Sequence, residues 1–93
     1  GPCADEDFVN AGDVSSYNTI NWTGTDGFDW TATDARSDED LDADEAIMLR
    51  NGTLTNDASQ PNGCGTLEFD YAQIYSGSST LKVYVNNVQY GGD

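Results

Sequence analysis

The sequence predicts an all-β sandwich. Three observations carry this: apolar and polar residues alternate in several short runs, turn residues separate those runs, and no useful length of chain puts apolar residues at helical spacing. Ninety-three residues make one domain with one core and no large second lobe. Gly1-Pro2 reads as a cloning scar, leaving 3–93 as the single domain. Ten aromatic side chains argue against disorder.

Taken in order, YNTINWT at 17–23 and FDWTAT at 28–33 are strands rich in aromatic and β-branched residues. Trp22 is in phase with Ile20, and Trp30 alternates with Phe28 and Ala32, so both sets face the core. AIMLR at 46–50 is short and nearly all apolar. It suits a central strand better than a helical turn, because RNGTL follows at once and reads as a turn into the next strand. TLEFDYA at 66–72 puts Leu67, Phe69 and Tyr71 on one face and Glu68 and Asp70 on the other. TLKVYVN at 80–86 points Leu81, Val83 and Val85 inward, with Lys82 and Tyr84 outward. Both have the alternation of half-buried antiparallel strands. TGTDGF, RNGT, PNGCG and SGSS supply turns between them, and Asn86-Asn87 suits a tight hairpin.

Net charge is −14, with seventeen acids against Arg36, Arg50 and Lys82. This excludes a phosphate-backbone binder and an anionic membrane surface, which need clustered Lys and Arg. It leaves cations, neutral glycans and basic proteins as partners. Self-repulsion at this charge costs stability, and salt or bound cations relieve it.

The only cysteines are Cys3 and Cys64, with no His and no Cys-x-x-Cys, which argues against zinc. A disulfide between them would close a long loop and add about 4 kcal/mol on the chain-entropy model. It would place the protein in an oxidising, extracellular setting. The alternative is two free thiols. Lacking His, the chain has no ordinary Ser-His or Cys-His nucleophile. A glycosidase needs a cleft that sets two carboxylates at a defined separation, and small domains rarely build one. The expectation is a protein that is not an enzyme.

SDEDLDADE at 37–45 is the densest run of charge. Asp38, Asp40, Asp42 and Asp44 alternate as ligands in an extended loop would, with Glu45 beside them, and calcium takes six to eight oxygens. EF-hand spacing is absent: counted from Asp38, the sixth position is Ala43 and the twelfth Leu49. A different calcium site would draw on Asp5, Glu6 and Asp7 or on Asp34. The other reading is a solvated acidic turn. Arg36 and Arg50 read as structural anchors paired with carboxylates, with anion recognition as the alternative.

Trp22, Trp30, Tyr17, Tyr75 and Tyr84 could form a platform on which sugar rings stack. In a small sandwich an individual Trp is more often core packing. Trp22, Tyr75 and Tyr84 are taken as candidate glycan contacts, the two tyrosines being the better exposed. Asn21-Trp22-Thr23 and Asn51-Gly52-Thr53 match the N-glycosylation sequon.

Several of these pieces together resemble a known kind of module. They are the stretch from Asp7-Phe8 through Trp22, Gly27 and Trp30 to Ala35-Arg36, the run AIMLRNGTL, and GCGTLEFDY leading on to SGSSTLKVYVNNVQYGG. The likeness is to the jelly-roll β-sandwich accessory modules of large secreted bacterial proteins, called choice-of-anchor J or MAM-like. It covers nearly the whole chain and is more specific for fold than for function. The resemblance implies an antiparallel jelly roll, a secreted setting, an accessory role and a structural calcium. In a eukaryotic host alone would the sequons matter. Modules of this kind continue past the strand that holds Val88-Gln89-Tyr90, whereas this sequence ends at Asp93. The expected jelly roll is therefore incomplete at its C-terminal end. A shortened chain, a cleaved chain, and a subunit completed by strand addition from a neighbouring copy are all open. The expectation as a whole is a non-catalytic accessory module, secreted, binding an extracellular glycan and steadied by calcium. Its alternative is a structural or adhesive surface or filament subunit.

Overall fold

The computed structural model of the protein describes residues 5–57, 67–73 and 78–92. They fall into two compact units, one covering 5–57 and the other 67–73 with 78–92. The protein is all-β, with antiparallel sheets of the sandwich-like class and no α-helix among the described residues.

In the first unit, β1 (Asn18–Thr23) and β2 (Asp29–Arg36) form a long antiparallel hairpin. Its turn is closed by the Gly24 N–H on the Phe28 carbonyl and the Gly27 N–H on the Gly24 carbonyl. Gly27 sits at φ 90°, where a side chain would be strained. The hairpin's register places Trp22 opposite Trp30 and Ile20 opposite Ala32. Trp22, Ile20, Ala32 and Ala35 are buried in the core with Ala11. Phe8, Val14, Trp30, Ile47, Leu49 and Leu54 pack against that cluster.

The other edge of β2 is served in two pieces. β5 (Met48–Leu49) pairs with Ala35 and Arg36, and β6 (Leu54–Asn56) pairs with Trp30 to Ala32, both antiparallel. The two strands therefore run in the same direction along one edge. RNGT does not reverse the chain, contrary to the turn expected there; it bulges past Thr33 and Asp34. The bulge is held by backbone bonds, from the Arg50 N–H to the Asp34 carbonyl and from the Thr33 N–H to the Thr53 carbonyl. A β-bulge in β1–β2 falls at the same level, between Asn18 and Ile20.

Ahead of β1, the 3-10 turn Val9–Ala11 contributes Ala11 to the core. Ser37, only 1% exposed, ties this segment to the end of β2. Its hydroxyl accepts from the Val14 N–H at 2.8 Å and donates to the Ala11 carbonyl at 3.4 Å. A buried hydroxyl satisfied on both sides carries little desolvation penalty.

β3 (Asp40–Leu41) and β4 (Asp44–Glu45) make a two-residue hairpin. In the second unit, β7 (Val83–Val85) and β8 (Val88–Tyr90) make another. Its turn residues Asn86 and Asn87 lie at φ 49° and 68°, which Asn tolerates better than most residues. The strand expected at 66–72 is not formed: 67–73 pairs with no strand among the described residues. Leu67, Phe69 and Tyr71, expected inside, are exposed.

Candidate functional site

Strand alternation that turns Trp22 and Trp30 inward turns Asn21, Thr23, Asp29 and Thr31 outward. Register then lines up Asn21, Thr31 and Thr55 across β1, β2 and β6. The resulting polar face holds a shallow depression of about 340 Å³, bordered by Asn21, Thr23, Asp29, Asp57 and the two tryptophans. Thr31 Oγ1 lies 2.8 Å from Asn21 Oδ1 and 2.8 Å from Asp57 Oδ2. One hydroxyl hydrogen serves one acceptor at a time, so one of those oxygens stays open to a donor from outside. The Thr23 hydroxyl donates to Asp29 Oδ1 at the rim. Chemically this is a set of fixed hydrogen-bonding groups suited to hydroxyls. Sequence reasoning names Asn21 and Thr23 only as part of a sequon and passes over Asp29, Thr31 and Asp57, because Thr, Asn and Asp opposite a core face look like ordinary solvent-facing positions. Their one signal is that they alternate with Trp22 and Trp30.

Trp22 itself is placed as a core residue, 7% exposed. Its ring is stacked on Trp30 at 6.2 Å with 6° between planes, and the Phe8 ring meets both edge-on. The indole N–H donates to Glu6 Oε2 at 2.6 Å. The absent side chain of Gly24 leaves room for that carboxylate. No broad Trp22 face is left for a sugar ring. Trp30 Nε1 is buried and meets no hydrogen-bond partner among the described residues.

Residues 40–45 of the acidic run fold as the β3–β4 hairpin, a tight turn rather than an extended loop. Asp42 and Ala43 take φ 53° and 68° at its tip. Asp38 leaves the acidic set: Arg36 grips it through Nε at 3.0 Å and a terminal nitrogen at 2.8 Å, and also reaches Glu39 at 3.7 Å. Asp34, a candidate outer ligand, is gripped likewise by Arg50 and accepts the Asn51 N–H at 2.9 Å. Among the described residues no group of three or more acids or cysteines is placed to hold a metal ion. Both arginines are thus carboxylate-paired anchors. Between them lies Tyr17, with the Arg50 guanidinium 4.3 Å and that of Arg36 5.6 Å from its ring centre.

Charge in this region sets a pH response. Burial, then repulsion from Asp13 and Asp40, holds the Glu45 carboxyl above its ordinary value. An acid raised by folding favours the folded state while it is protonated. That contribution is complete below the unfolded value and lost as pH rises through the raised folded one. Glu45→Gln should therefore match the wild type in acid and melt at a higher temperature near neutrality. Equal melting temperatures at neutral pH would show that Glu45 ionises without strain. Asp34 and Asp38 have the opposite sign. The Arg50 hydrogen bond and the Asn51 N–H lower Asp34, and the Arg36 hydrogen bond lowers Asp38. Their contribution is present above the ordinary carboxylate value and lost as pH falls through their lowered ones.

Tyr84 is exposed on β7 in the second unit. Tyr75, Cys3 and Cys64 lie outside the described residues, as does the proposed disulfide. No helix among the described residues is long and apolar enough to cross a membrane. What fold and site define together is an antiparallel all-β protein with a polar outer sheet face. Comparison with family models, curated proteins and solved structures finds no match for this chain.

Proposed function

We propose that the protein is a non-catalytic binding module of a secreted protein, of jelly-roll type, and that the outer face of β1, β2 and β6 binds a neutral extracellular glycan. The observation that supports this best is the Asn21–Thr31–Asp57 cluster, in which one hydroxyl stands between two acceptors. A sugar presents hydroxyls that both donate and accept, and such a face can use both. A net charge of −14 disfavours anionic polymers and leaves neutral ones. Tyr84, on the other unit, is a separate candidate contact. With no His in the chain and each arginine paired with carboxylates, the residues favour binding over catalysis.

Calcium enters as a stabiliser. On this reading it acts on the β3–β4 hairpin by relieving repulsion among Asp40, Asp42, Asp44 and Glu45 rather than by occupying a closed cage. A glycan array run in calcium and again in chelator tests both parts. Asn21→Ala with Asp57→Ala should lower retention at least about tenfold, the equivalent of 1.4 kcal/mol, while Asp40→Asn with Asp42→Asn leaves retention in chelator unchanged. Retention untouched by the first pair would move the site off this face. No retention of the folded wild type on any glycan would remove the glycan reading altogether.

A further inference from the structure

The polar outer face of the first unit extends beyond the Asn21–Thr31–Asp57 cluster as an ordered grid of three cross-strand rows. Asn21, Thr31 and Thr55 stand abreast in the middle row, as the register sets them. On one side Thr23 faces Asp29, and the Asp57 N–H donates to the Asp29 carbonyl, which brings Asp57 into that row. On the other side the Thr33 N–H donates to the Thr53 carbonyl, and their hydroxyls lie 3.2 Å apart. The grid repeats at about 4.8 Å between strands and about 6.6 Å between alternate residues of one strand. Thr31 and Thr33 are half-buried, and the other members are exposed.

Such a face suits an ordered ligand better than a single free chain. β-Branched threonine has few rotamers, and the cross-strand bonds of Thr23, Thr31 and Thr33 hold their hydroxyls in place. The depression is shallow, whereas a site for one small ligand encloses most of its surface. None of the outward side chains in the three rows is aromatic, so no sugar ring stacks on them. What remains is many hydrogen bonds, each of modest net value in water. A free oligosaccharide must give up its own torsional freedom to make them, and a chain packed in a solid has lost it already. We propose that this face binds the ordered surface of an insoluble, packed polysaccharide in preference to the same sugar as a soluble chain. The inference rests on the glycan reading and narrows it to one physical form of the ligand.

Retention on crystalline cellulose and crystalline chitin is the test, each compared with the same polymer after acid swelling and with its soluble oligosaccharide as competitor. One of the crystalline solids should hold the protein at least about tenfold more tightly than its swollen form. An excess of the oligosaccharide should leave the protein bound. Thr31→Val and Thr55→Val keep the β-branched shape and remove a hydroxyl, and each should weaken retention at least about threefold. Thr55 is exposed at the edge of the grid, so its variant carries the test if Thr31→Val disturbs the sheet. Near-ultraviolet dichroism of the Trp22–Trp30 pair checks folding in both. Equal retention on crystalline and swollen polymer, or ready elution by the oligosaccharide, would overturn this inference and leave the glycan reading standing. Binding to oligosaccharides on an array with none to either solid would do the same. Crystalline retention indifferent to both valines would also overturn it, since the contact would then lie off the grid. No binding to any glycan, solid or soluble, would remove both readings.

Discussion

Gly52→Ala should destabilise the first unit by about 3 kcal/mol or more, the upper range for overpacking a tight site. Gly52 is the point at which the bulge between β5 and β6 crosses β2. A methyl group there would overlap the Thr33 carbonyl oxygen and carbon, and would stand 2.8 Å from Thr33 Oγ1. The obstacle is backbone, so no rotamer change clears it. The carbonyl cannot swing away cheaply, because the surrounding bonds fix Thr33 on both sides. Its N–H donates to Thr53 at 2.8 Å, and its hydroxyl accepts from the Thr53 N–H at 2.9 Å. Relief would mean separating the bulge from β2 and losing the Asp34 grip on Arg50 and Asn51 as well. Gly92→Ala, where an added methyl meets nothing within 4 Å, is the control. Urea unfolding followed by tryptophan fluorescence should show a much lower midpoint for Gly52→Ala and none of that shift for Gly92→Ala. Matching midpoints would mean that the bulge yields freely.

The same bulge shows where the sequence speaks clearly and where it does not. β1, its turn and β2 were legible because alternation, aromatic content and the TGTDGF turn all point to one hairpin. Asn86-Asn87 was legible for the same reason. At Asn51-Gly52 the pair that often reverses a chain does something else: the glycine is there for close approach to Thr33, and no local pattern separates the two uses. In 67–73 the alternation of Leu67, Phe69 and Tyr71 states what a strand would bury. It does not state that a neighbouring strand is present to bury it. In the acidic run Asp40, Asp42 and Asp44 are exposed while Asp38, Glu39 and Glu45 are half-buried, and a tight hairpin at Asp42-Ala43 lacks the glycine that would have announced it. The polar face was hardest to see. Its residues sit opposite the core, where Thr and Asn are expected anyway, and only the register of three strands brings Asn21, Thr31 and Asp57 together.

Trp22 is where the structural and functional readings of one residue come apart most cleanly. Trp22→Ala should cost about 3–5 kcal/mol, as for other large buried aromatics. That is a large fraction of the roughly 5–15 kcal/mol that holds a domain folded. It removes the ring on which Trp30 stacks and against which Phe8 packs edge-on. Trp22→Phe isolates a smaller part. It keeps an aromatic ring in the core but takes the N–H partner from Glu6, a loss of about 1.5–3 kcal/mol for a hydrogen bond to a charged group. Urea unfolding followed through the remaining Trp30 would rank the variants wild type, Phe, Ala. A sugar platform makes a different demand, since a phenyl ring stacks less well than an indole and binding would fall in the Phe variant ahead of stability. With Trp22 inside the core, Trp22→Phe should lose stability and keep its glycan affinity. Full stability with lost affinity would restore Trp22 as a ligand contact and move the site from the outer face of the sheet to the inner one.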